Sequence, residues 1–161
     1  MNAKRNAERL ERLKARYDWD RWPGGPTGGE LRGVRVGADL LPEWRLEHVD
    51  EVRAEGRPPL QHALFTRDRD AALSVEVWEC DSTVAARVLL LELLDEFESP
   101  LVVRATGAAA VGDVAFVHGE HMALFAHGNL VVRVGNAGRE LVAVDGPARE
   151  IAARLARPAG N

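Results

Sequence analysis

His118, Gly119, Glu120 and His121 form the stretch of this chain whose residue types most resemble working chemistry. With Gly119-Glu120 as a two-residue turn, the two imidazoles face each other across a hairpin, Cβ atoms about 5 Å apart, near enough to share a transition metal. His127 stands six residues beyond His121, about 20 Å along a straight strand, and cannot complete the set. Two ligands do not make a zinc site, so a solvent-facing hairpin tip is expected, with no metal or other cofactor. His48 and His62 have no recognisable partner in the sequence.

Other chemistry falls by elimination. The serines are Ser74, Ser82 and Ser99; none lies in a G-x-S-x-G turn, and they read as strand surface, helix cap and helix end. Lys4 and Lys14 are the only lysines, both on a charged N-terminal segment, which leaves no core lysine for a Schiff base. The glycines from Gly24 to Gly29 lack the G-K-[ST] of a phosphate loop. Cys80 is the one cysteine, which excludes an internal disulfide and any C-x-x-C pair. It reads as a packed thiol, because Asp81 beside it opposes any lowering of its pKa by the following helix. Arg104 and Arg133 on strands could clamp an anion, though arginines are common on strand surfaces.

The elements that position these residues belong to one globular domain. The chain has 161 residues, 46% of them apolar and 29% charged, enough for a sizeable core. Residues 2–17 predict a helix, with Asn6, Leu10, Leu13 and Tyr17 along one stripe. Residues 18–29, rich in Pro and Gly, predict a mobile linker. Strands are expected at 31–37, 43–49, 60–66, 72–79, 100–105, 112–118 and 121–134, the last bent at Gly128-Asn129. Ser82 caps a helix running to about Glu98, and Pro147 opens a last one to about Ala156. Runs of strands imply an α+β fold, a largely antiparallel sheet covered by helices on one face, with an N-terminal helical arm. The expected organisation is arm and linker at 1–30, one domain at 31–157 that folds without the arm, and a tail at 158–161.

Charge narrows the partners. Lys and Arg number 21 against 25 Asp and Glu, a net −4 that disfavours nucleic acid. Arg5, Arg9, Arg12 and Arg16 recur along the arm, but Glu8 and Glu11 interrupt the patch. No apolar run is long enough for a membrane helix and no export signal is evident, so a cytoplasmic location is expected.

Two features point to protein binding. Trp19 and Trp22 sit among charges on a segment unable to fold alone, which suits either a motif that docks in a partner's groove or a flap that closes the chain's own core. On the helix from Ser82, the residues Ala86, Leu89, Leu90, Leu93, Leu94 and Phe97 form the core face, while Val84, Val88 and Leu91 make a second apolar stripe on the opposite side. Something must cover that stripe: the arm's Leu10, Leu13 and Tyr17 in cis, the arm of a second copy, or another protein. The expected function is a non-catalytic interaction or accessory module acting through arm and stripe. The alternative is a small-ligand-binding domain or small enzyme with a pocket between sheet and helices.

The C-terminal half carries a family likeness. Gly112-Asp-Val-Ala-Phe-Val117, then Leu124-Phe-Ala-His-Gly-Asn-Leu-Val-Val-Arg-Val134 and a closing helix, resembles the extracellular sensor domains of bacterial serine/threonine kinases and related lipoproteins, which have a PsbP-like architecture. The resemblance spans about Leu73 to Leu155 and implies an antiparallel sheet with helices. It implies no catalytic residue.

Overall fold

In the computed structural model, which describes residues 3–23, 33–97 and 99–156, Ser82 Oγ accepts the Ala85 amide at 2.9 Å and starts helix α2, Thr83–Phe97. The other elements in chain order are α1 (Ala3–Arg16), β1 (Arg45–Val52), β2 (Leu60–Thr66), β3 (Ala72–Glu79), then after α2 β4 (Val102–Arg104), β5 (Val114–His118), β6 (Met122–His127), β7 (Leu130–Asn136) and α3 (Asp145–Leu155). The fold is α+β. Its seven strands form one antiparallel sheet in the order β1-β2-β3-β7-β6-β5-β4.

That order makes α2 the cover of one half of the sheet. The chain leaves β3 and must reach β4 at the far edge, four strand spacings or about 19 Å away. A 15-residue helix spans about 22 Å. It therefore lies across β7 and β6, which it contacts, and its expected core face is buried there: Ala86, Leu90, Leu93 and Leu94 pack with Phe116, Leu124 and Val131. β1 and the outer face of β2 receive no such cover, and seven of the eight β1 residues are exposed.

Three differences from the sequence reading have physical causes. Helices cover both faces, because α3 and the segment around Leu40 and Leu41 pack on Phe65, Val75, Phe125 and Val132 on the opposite side. The expected strand 121–134 is two strands, folded back at Gly128-Asn129 with His127 opposite Leu130. Gly128 has φ +57°, and the buried Asn129 ties the turn to β3 by donating from Nδ2 to the Cys80 carbonyl at 3.1 Å. Within the expected strand 31–37, the described residues 33–37 form no strand; Gln61 holds them against β2 through the Val36 amide at 2.8 Å and the Val34 carbonyl.

The arm is docked. Asp18 takes a left-handed conformation after α1, φ 53°, a geometry aspartate tolerates better than most residues. A 3-10 turn at Trp19–Arg21 then brings Trp22 down onto Phe116, ring centroids 5.8 Å apart. In the described part of the expected linker, 18–23, Trp19 and Trp22 are packed while Asp18, Asp20, Arg21 and Pro23 are exposed; the rest of it, residues 24–29, and the tail at 158–161 lie outside the described residues.

Candidate functional site

The second stripe of α2 is only partly covered, and α1 is what covers it. Leu13 and Leu91 are buried in one cluster, Leu91 completely, with Leu10 and Tyr17 packed against it. Arg9 donates to Asp95 Oδ2 from Nε at 3.0 Å and Nη2 at 2.6 Å, and Asp95 holds the guanidinium pKa above its ordinary value. Tyr17 Oη reaches the Leu94 carbonyl at 3.5 Å. These contacts fall on the C-terminal half of α2. Of the three expected stripe residues, Leu91 is sealed, Val88 is half-buried and Val84 stays 62% exposed.

The tryptophans also serve the chain's own core. Trp22 is 6% exposed, lies 5.0 Å from half-buried Trp19 and donates from Nε1 to the Tyr17 carbonyl at 2.8 Å. In this arrangement the two rings pack on their own chain, as a flap over its core would.

Beside Val88 opens a cleft of about 560 Å3 between α2 and the loop that joins β1 to β2. Its apolar lining comes from Pro58, Pro59, Ala85, Val88 and Leu89, with Asp81 and Glu92 also on its walls; Glu92 faces Arg9 of α1 as well. Arg57 crosses from the loop to pair with Glu96. Cys80 also lines the cleft, but burial pushes its thiol up to about 11, helped by the charges of Asp81 and Glu79. Burial and the two carboxylates therefore oppose formation of the thiolate.

His118 and His121 do not stand opposite each other. His118 pairs with Met122, so the turn holds three residues and His121 sits within it, exposed; the rings approach edge to face at 5.9 Å. Among the described residues no group of three or more His, Cys, Asp or Glu is placed to hold a metal. Arg133 is committed as well: its Nε donates to Glu76 at 2.7 Å and its guanidinium lies over the rings of Trp78 and Phe97, which leaves little positive charge for an anionic ligand.

The structure assembles one cluster that sequence reasoning missed. On the uncovered face, His62 Nε2 and Ser74 Oγ are 2.8 Å apart, Asp50 is the register partner of His62, and His48 contacts Asp50 at 3.5 Å. A hydroxyl, an imidazole and a carboxylate on adjacent strands resemble a nucleophilic triad. An acyl-transfer site also needs donors aimed at the developing oxyanion. Here Ser74 and His62 sit on interior strands whose amides are engaged in the ladder on both sides, and the cluster is a cross-strand polar network. The signal that could have found it is the β2–β3 register, which puts Leu64 opposite Ser74 and so His62 on its diagonal.

Comparison with family models, with curated proteins and with solved structures gives no match.

Proposed function

We propose that this chain is a non-catalytic protein-binding module that docks a partner along the N-terminal half of α2. One observation carries the reading: Val84 is 62% exposed on a helix that the sheet buries from below and α1 buries from the side, next to an apolar cleft. Val84, half-buried Val88 and the apolar lining of the adjoining cleft from Pro58, Pro59 and Ala85 run together into one apolar surface, and it is contiguous patches of this kind that mark interaction sites. The arm then acts as scaffold, fixing α2 and bounding the docking surface, rather than as the docking element itself. Leu90, Leu93 and Leu124 pack together between α2 and the sheet, which favours the module over the alternative, a pocket between sheet and helices.

A small-ligand site in the cleft is the second reading, favoured by its volume, which falls in the range of small-molecule sites. It ranks second because the cleft's charged groups are two carboxylates and an arginine already paired with Glu96. We place the module in the cytoplasm, where its single thiol stays reduced. Its overall charge still argues against nucleic acid. Among the described residues no helix is long and apolar enough to cross a membrane.

A photo-crosslinking residue tests the docking surface. With p-benzoylphenylalanine at position 84, illumination of the producing cells should give a discrete protein adduct that Val88→Asp abolishes. The same residue at Leu141, which is 57% exposed in the loop before α3, should give none. No adduct at position 84, or the same adduct at both positions, overturns the proposal.

A further inference from the structure

We infer that α1 is a movable cover, latched by Arg9, that lifts from α2 while residues 17–22 and the sheet stay folded. Its attachment is thin. Leu13 is the one buried residue among its fourteen, and between α1 and α2 a crevice of about 250 Å3 opens, lined by Asn6, Ala7, Arg9, Leu10, Leu13 and Glu92. A helix of this length is marginal by itself in water, so it forms or melts with that contact. The turn after it is held separately. Tyr17 meets Phe116 edge-on at 5.6 Å, Trp22 lies on the same ring at 5.8 Å, and the Trp22 indole donates to the Tyr17 carbonyl at 2.8 Å. The chain can therefore hinge just ahead of Tyr17 without unseating Trp22.

Charge sets how firmly the cover closes. Arg9 donates to Asp95 at 2.6 Å, and Glu92 and Glu96 add to the negative field on its guanidinium. The side chains of the pair are 46% and 34% exposed, so the latch is weak and sensitive to salt. Glu92 belongs to two surfaces, since it also lines the cleft beside Val88. Lifting α1 takes the cation away from Glu92 and bares Leu91, which is fully buried when the cover is closed. The apolar surface of Val84 and Val88 then runs on into Leu91. Closed, α1 is an autoinhibitory contact that shortens the docking face; this role rests on the docking reading above, and the opening itself does not.

Hydrogen–deuterium exchange of the full-length chain, read by mass spectrometry, tests the opening. Amides of residues 7–16 should exchange at least about tenfold faster than those of 87–94. Arg9→Glu should speed residues 7–16 a further threefold or so and leave α2 and β5 unchanged, while Arg9→Lys should behave as the parent chain. The new carboxylate has Arg5 and Arg12 within one turn, so it does not weaken α1 itself, and any acceleration reports the contact with α2. Equal exchange of α1 and α2 overturns the inference, because arm and body then open together. So does an unchanged rate in Arg9→Glu, or an acceleration spread equally over α2 and β5. The adduct at position 84 reads docking independently. Slow α1 exchange with an adduct overturns the inference alone, and fast exchange without an adduct overturns the docking reading while the opening stands. Where both are seen, Arg9→Glu should raise the adduct yield about twofold or more; a level or lower yield overturns the autoinhibitory role.

Discussion

Trp22→Ala should destabilise the chain by about 3–5 kcal/mol, the cost of deleting a buried large aromatic, read as a lower midpoint in urea unfolding. The indole closes the α2 side of the core where α2 itself does not reach: it packs on Phe116 at 5.8 Å, and Tyr17 meets the same ring edge-on at 5.6 Å. Removing it opens a cavity lined by rings that the fixed sheet below cannot collapse to fill. Trp19→Ala, at a half-buried ring, should cost clearly less. Arg9→Ala should cost at most about 1 kcal/mol, since both members of its pair with Asp95 are partly exposed. An unchanged midpoint for Trp22→Ala would show that the arm does not sit on Phe116. It is also the result expected if residues 31–157 fold without the arm.

The second large effect is expected at Gly112→Ala, about 3 kcal/mol or more. Gly112 has φ +64°, and a Cβ there would lie 2.5 Å from the Ala126 carbonyl oxygen and 2.9 Å from the Phe125 ring. Both the left-handed strain and the overlap oppose the substitution. Neither neighbour can yield: Phe125 is fully buried, and the Ala126 carbonyl accepts the Asp113 amide at 2.8 Å. Gly56→Ala is the control, with φ +76° but open space around the added carbon, and should cost about 1 kcal/mol. Equal midpoints for the two variants would mean that β5 does not enter the sheet beside Ala126 as described.

What the sequence reveals follows from where its signals are local. α2 is legible because a capping serine precedes a continuous apolar helix pattern, and β3 because Leu73, Val75 and Val77 alternate with polar residues. The β6–β7 hairpin is hidden. Leu130, Val131 and Val132 are all buried, so the run shows no period of two, and the Gly128-Asn129 step, whose leading glycine suits a type II′ turn, reads as a bend because the apolar run continues on both sides of it. The same unbroken apolar run carries a signal for cover on both faces, which α3 and α2 supply. The histidine pair fails by a single residue of turn length, since a three-residue loop takes His121 out of the ladder. The second stripe of α2 is legible from Val84, Val88 and Leu91. What covers Leu91 is not, because periodicity makes α1 amphipathic without saying which surface receives it; the deciding contacts, Arg9 to Asp95 and Tyr17 to Leu94, join residues 86 and 77 positions apart.

The central claim is that Val84 belongs to a surface covered by another protein in the cell, and thiol footprinting reads that cover directly. Cys80 is buried and its thiol is pushed up to about 11, so a chain carrying Val84→Cys presents one reactive thiol to a maleimide at neutral pH. The account predicts rapid labelling of the purified chain and labelling at least about fivefold slower in the producing cells, with the protection lost when Val88→Asp is added. Equal labelling in both settings, with or without Val88→Asp, would contradict it.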